Sequence, residues 1–265
     1  MSILPAVAGA LAVNKQNKAT HLTNQAIRIT GIIAIPCGVF LFVAGRSCIS
    51  LIYGAEKWSN PLAMANGTEL LPINASADSL KILAVAVFFI SVVSICNALL
   101  NAYGKAHLPF AAVLVGIVVL IASEVILLKQ IGIYGAPASS AICYLIVMIL
   151  DVWFMRKYCG VKLNFLKLFA RPLLSGAVTL GVTYLVFKGS TYLWLNFVGT
   201  ADDTRVASFA ILMCSGIAMV VTYAATLLLF RGISEDEVRL LPMGNKIADI
   251  LVKKGILARS AEVEE

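Results

Sequence analysis

The chain has 265 residues, 60% hydrophobic and 13% charged, with a mean hydropathy of +0.91 and a formal net charge of +7. Soluble domains carry about 25% charged residues, so a water-soluble globule is excluded and the chain reads as an integral membrane protein. Its basic residues sit beside apolar stretches, where attraction to a membrane surface accounts for them, so no nucleic-acid partner is implied.

The first apolar stretch, ILPAVAGALAV (Ile3 to Val13), is too short to span, since a spanning helix needs about 20 residues. Its small residues suggest a signal-peptide cleavage site, but it lacks a basic start and Pro5 interrupts it. It reads instead as the last turns of a helix whose beginning is missing. Six later stretches are long enough to span: 26–45, 80–103, 108–128, 134–154, 170–187 and 206–230.

The first span holds Pro36 within RITGIIAIPCGVFLFVAG (Arg28 to Gly45). A proline inside a helix removes a backbone hydrogen bond, at a cost of about 3 kcal/mol in water. Membrane helices tolerate it because neighbouring helices, waters or local adjustment satisfy the freed carbonyl. Pro36 fits either a packing kink or a hinge in a moving helix. Beyond it, an outer loop is expected from Arg46 to Ser79, with Gly54, Pro61, Gly67 and Pro72 breaking any regular element. Asn66-Gly-Thr and Asn74-Ala-Ser match the glycosylation acceptor pattern, a match that polar loops also make by chance.

Two further segments are amphipathic. RKYCGVKLNFLKLFARP (Arg156 to Pro172) interleaves basic residues with Tyr158, Leu163, Phe165, Leu166 and Phe169, the pattern of a segment lying among lipid headgroups. MGNKIADILVKKG (Met243 to Gly255) places Met243, Ile247, Ile250 and Leu251 on one helical face, as a surface helix does. The expected architecture is therefore an all-α membrane protein. A bundle of six transmembrane helices carries a partial N-terminal helix and an amphipathic C-terminal helix. The divisions are 1–13, the end of a truncated helix; 14–154, four spans; 155–169, a basic interfacial loop; 170–230, two trailing spans; and 231–265, a tail.

Alternating the loops across the membrane puts 15 Lys and Arg on one side and 6 on the other. The positive-inside rule then makes residues 14–25 and the tail cytoplasmic. The six cysteines contain no CxxC pair and lie mostly inside spans, reading as small apolar fillers. His21 and His107 are isolated, so no zinc motif is present and no metal or other cofactor is implied.

Ionisable groups inside spans are the default functional candidates. Glu124 lies about one turn from the outer end of its span and fits either a functional role or simple reach to the interface. Asp151 lies near the cytoplasmic end of its span, where Arg156 and Lys157 suggest a structural ion pair. Asn97 and Asn101 are four apart and share a helix face, serving as helix glue or as the lining of a wet cavity. Arg28 opens the Pro36 helix, as a lipid anchor or as a contact for an anionic substrate. No P-loop, Ser-His-Asp set or redox motif is present. The chain is not expected to be an enzyme, and secondary transport through a helix bundle fits best.

Several pieces, in collinear order, resemble the C-terminal half of the polysaccharide-exporter and lipid II flippase family, particularly its stage V sporulation protein B type. They are ILPAVAGALA; IAIPCGVFLFVAGRSCISLIYG with Pro36, Gly38 and Gly54; LNAYGKAHLP with Gly104, Lys105 and Pro109; IGIYGAPASSAICY with Gly132 and Gly135; ARPLLSG with Pro172; and GISEDEVRLLPMG with Asp236, Leu241, Pro242 and Gly244. This family belongs to the multidrug/oligosaccharidyl-lipid/polysaccharide superfamily. Gly104 and Gly135 stand where the chain reverses, as suits turns that need positive φ. Pro109 and Pro172 stand near expected helix starts, where a missing N–H costs little. Pro137 departs from the family pattern, which has alanine there, and is expected to shift its helix start slightly.

The resemblance implies about fourteen spans in two lobes around a cavity open alternately to each side. The partners it implies are membrane lipids, a lipid-linked oligosaccharide and an N-terminal lobe missing from this chain. The family's pyrophosphate-binding cations lie largely in that lobe and cannot be carried over, so the chain is expected not to transport unaided. The function it implies is flipping of a peptidoglycan precursor or related polysaccharide intermediate, driven by an ion gradient or membrane potential. A multidrug and toxin extrusion-type cation antiporter would instead rely on Glu124, and a non-transporting scaffold would show no water-filled groove.

Overall fold

A computed structural model describes residues 3–53, 62–63, 69–70, 72–161, 165–197 and 205–230. The chain forms α1 (Ile3–Ala12), α2 (Gln16–Tyr53), α3 (Pro72–Ala102), α4 (His107–Ile131), α5 (Gly135–Tyr158), α6 (Phe165–Phe197) and α7 (Arg205–Leu229), with a short 3-10 turn, Gly132–Tyr134, between α4 and α5. The six expected spans correspond to α2–α7. Five stretches are long and apolar enough to cross a membrane, because α4, the 3-10 turn and α5 continue as one stretch of 52 residues. The proposed C-terminal surface helix and the Asn66 motif lie outside the described residues.

The helices outrun the spans. The 38 residues of α2 make a rod of about 57 Å at 1.5 Å per residue, against a hydrocarbon core of about 30 Å. The polar run QNKATHLTNQ is the first three turns of α2, not a loop. At the outer end α2 continues to Tyr53 and α3 starts at Pro72, so the connection is 54–71, shorter than the expected Arg46–Ser79. Asn74-Ala-Ser belongs to the first turn of α3, with Ile73 and Ala75 buried. Within the connection, Leu62–Ala63 and Glu69–Leu70 pair antiparallel in a two-residue ladder, in a stretch where the glycines and prolines had suggested no regular element.

The helices pack in the order α4, α5, α3, α2, with the α6–α7 hairpin against α2 and α1 lying on α2 and α3. The main core joins Val7 of α1, Ile27 of α2, Val92, Cys96, Leu99 and Leu100 of α3, and Met155 of α5, all fully buried. Gly38 lets α2 come close to α3, since a Cβ there would lie 2.8 Å from the Ala84 carbonyl oxygen. Three helices end on a residue with positive φ, and the first two close alike. Asn14, Gly104 and Gly160 have φ of 59°, 71° and 67°. Lys15 N–H bonds to Ala10 O at 3.0 Å and Lys105 N–H to Leu100 O at 2.9 Å, the Schellman closure that a left-handed residue permits.

Two expectations about turns are corrected. Gly135 does not supply positive φ; its φ is −62° and it starts α5, while Gly132 carries the left-handed φ of 61°. Gly135 is needed for space, since a Cβ would lie 2.6 Å from the Leu128 backbone nitrogen. Pro137 is the third residue of α5, where its missing N–H has no intrahelical partner to lose. Pro172 is not at a helix start: α6 begins at Phe165, so this proline is interior.

The expected interfacial loop at 155–169 divides between helices, α5 running to Tyr158 and α6 beginning at Phe165. Phe169 does not lie among headgroups. It is 3% exposed and stands edge-to-face with Phe88, ring centres 5.2 Å apart. Gly31 of α2 leaves room for its ring, and a Cβ there would run into it.

Candidate functional site

The polar side chains of α2 and α3 separate into two environments. On the open side, Thr30, Ile90, Ser91, Ser94, Ile95 and Ala98 line a groove of about 390 Å³. The Thr30 hydroxyl donates to Ala26 O at 2.9 Å and that of Ser91 to Val87 O at 2.7 Å. Such bonds to the preceding turn let hydroxyls sit in a membrane helix with their donors satisfied, leaving oxygen lone pairs towards the groove. Asn101, exposed, is seven residues beyond Ser94 and continues the same face of α3. Arg28, half-buried, stands on α2 two residues before Thr30.

A second cleft, of about 560 Å³, runs between α2 and α7. Phe40, Leu51, Phe209, Leu212, Met213 and Ile217 make its wall wholly apolar, so it offers nothing to orient a polar group.

On the closed side, α3 packs against α5. Asp151 has 0% exposure, and neither carboxyl oxygen has a hydrogen-bond partner among the described residues. The expected ion pair with Arg156 or Lys157 is absent. A turn of 100° per residue carries those two away from the buried face, and the Lys157 ammonium lies 4.6 Å from the Trp153 ring centre and 5.4 Å from that of Tyr158. Such cation–π seating suits a lysine beside interfacial aromatics. Asn97 belongs to the closed side as well, its Oδ1 buried and unbonded. Asn97 and Asn101 therefore straddle the boundary between packed and open faces.

Glu124 lies elsewhere. It is half-buried on α4, outside the lining of the groove. Pro36 is inside α2, which is helical on both sides of it, two residues before the close approach at Gly38. All six cysteines are free. Cys159, just beyond α5, has its thiol pushed up by burial, with the nearby Lys105 charge acting the other way. Tyr103, at the end of α3, and Cys159 pack against the same core cluster.

Thr30, Ser91 and Ser94 were not singled out from sequence. The signal was present: Ser91, Ser94, Ala98 and Asn101 recur every three or four residues along an otherwise apolar helix. The same spacing marks Ser175, Thr179 and Thr183 of α6, all fully buried, which act as close-packing positions of the kind membrane helices use.

No curated protein matches the chain. The family model for the lipid II flippase MurJ matches residues 1–201, which takes in α1 to α6. That span covers well over half of the 265 residues, and its stacked apolar helices are those of a multi-pass membrane protein. The chain belongs to the lipid II flippase MurJ family.

Proposed function

We propose that the α2–α3 groove forms one wall of the path taken by the polar headgroup of lipid II, with Arg28 and Asn101 at its cytoplasmic end. The observation that carries this reading is the alignment of Thr30, Ser91 and Ser94 along one open groove in an otherwise apolar bundle. A sugar–pyrophosphate headgroup presents hydroxyls and phosphate oxygens, which hydroxyl side chains and a guanidinium recognise. Residues 14–25 and the C-terminal tail face the cytoplasm, as the excess of Lys and Arg favours. Pro36 serves as the hinge on which the outer half of α2 tilts, and the motion is driven by an ion gradient or the membrane potential. Cation antiport draws no support from the groove, whose lining has no acidic residue.

The test is lipid II binding to the purified chain in detergent. A charge-assisted hydrogen bond contributes about 1.5–3 kcal/mol, so Arg28→Ala should weaken binding about 10- to 100-fold. Ser94→Leu should also weaken it, while Glu124→Gln should leave it unchanged. Equal affinity in Arg28→Ala and Ser94→Leu would refute the assignment.

A further inference from the structure

Asp151 carries a buried carboxyl that finds no hydrogen-bond partner among the described residues. Neighbouring contacts fix its level. Val93 and Val147 share one core cluster, and Leu100 and Met155 share the next. Asp151 therefore lies level with Cys96 and Asn97 of α3. On the other side, Cys143 donates to Gly116 O at 3.2 Å and Ala112 clusters with Val147. Continuing that antiparallel register places Leu108, in the first turn of α4, opposite Asp151.

The groups facing it are few. From α3 the titratable group is the Cys96 thiol, fully buried. From α4 come Leu108, Pro109 and Ala112, buried and without charge. On α5 itself, Val147 and Met155 flank it, and Arg156 and Lys157 are exposed. An ionised carboxylate that takes no hydrogen bond from Asn97 or any other described residue, and has no counter-charge among them, is too costly to persist in such surroundings. A metal ion would need several oxygen ligands, and no group of three or more metal-ligating side chains occurs among the described residues.

We propose that Asp151 is a proton-binding site: it holds a proton in this packed arrangement and releases it to water when the α3–α5 seam opens. The oxygen–hydrogen bond of the carboxyl breaks, water takes the proton, and the carboxylate left behind is hydrated. In a flippase this makes the proton an ion exchanged with the conformational cycle. That consequence rests on the flippase reading; the binding site itself does not.

The experiment uses the full chain in lipid nanodiscs, labelled with carbon-13 at the aspartate side-chain carboxyls. The chain has six aspartates: Asp78, Asp151, Asp202, Asp203, Asp236 and Asp249. Asp78 is exposed and paired with Lys81 at 2.7 Å, and the other four fall outside the expected spans, so one protonated carboxyl of six should be seen at pH 7, and Asp151→Asn should abolish it. Cys96→Ser puts a stronger donor beside the carboxyl and should shift that resonance and lower the pH at which it ionises. Six ionised carboxyls at pH 7 would overturn the proposal, as would a Cys96→Ser resonance and titration identical to wild type. No lipid II enters the measurement, so failure of the headgroup path leaves it intact, and its own failure leaves the path intact.

Discussion

The contact between Gly31 and Phe169 offers a quantitative test of how α6 is held. Gly31→Ala places a methyl where the Phe169 ring now lies, and overpacking of this kind costs about 1–3 kcal/mol. Phe169→Ala removes a ring that is 3% exposed and its edge-to-face partner at 5.2 Å. A buried Phe→Ala truncation costs about 3–5 kcal/mol, of which the aromatic pair supplies about 0.5–1.5 kcal/mol. In the double variant the new methyl enters the space left by the ring. The two losses should therefore not add: the double variant should be about 1–3 kcal/mol more stable than their sum, on the order of 5 °C in Tm for a chain of this size. A thiol-reactive dye that reports exposure of the fully buried Cys96 on heating gives the assay. The other five cysteines, all exposed or half-buried, are first replaced by Ala. Strict additivity would mean that the ring and Gly31 do not touch, and Phe169 would then belong at the lipid surface after all.

Other perturbations follow from the same geometry. Gly38→Ala should lower Tm more than Gly104→Ala in the same assay. A Cβ at residue 38 meets a backbone oxygen at 2.8 Å, which cannot move aside, whereas Gly104 has open space and only its φ of 71° to defend, a strain of about 1–2 kcal/mol. Asp151→Leu should keep or raise Tm, since burying a polar group without a hydrogen bond costs free energy that an apolar side chain does not; a large drop would show that the carboxyl makes a stabilising contact in the folded bundle. Cys159 should react with maleimide slowly at pH 7, because a raised thiol holds less thiolate, and its rate should climb with pH through a higher range than that of a small free thiol such as glutathione. Lys105→Ala removes the opposing charge and should slow Cys159 further.

Spans were legible because about 20 consecutive apolar residues have few uses outside a bilayer. Helix ends were less so. Once α2 leaves the lipid its polar residues keep the helix going, and hydropathy records only the lipid boundary. Gly104 was readable as a turn because glycine after a helix commonly takes left-handed φ. Gly135 and Gly132 were not separable, since one is needed for space and the other for φ, and both stand in the same short turn. Phe169 was misplaced because an aromatic among lysines has the same pattern whether it sits in headgroups or plugs a bundle. Asp151 was placed near basic residues by sequence distance, but helix rotation turned them apart. The deeper reason is that lipid-facing and protein-facing arcs are both apolar in a membrane helix. Periodicity then says little about which arc is buried, and polar residues such as Ser91, Ser94 and Asn101 carry what phase remains.

The central claim is that the polar groove between α2 and α3 meets the lipid II headgroup. A photoreactive amino acid at Ser94, with a matched control at Val118, 67% exposed on the apolar face of α4, tests it most directly in membranes containing lipid II. The account predicts a lipid II adduct at residue 94 that excess unlabelled lipid II suppresses, with none suppressed at residue 118. Equal labelling at both positions, or labelling at 118 alone, would contradict it.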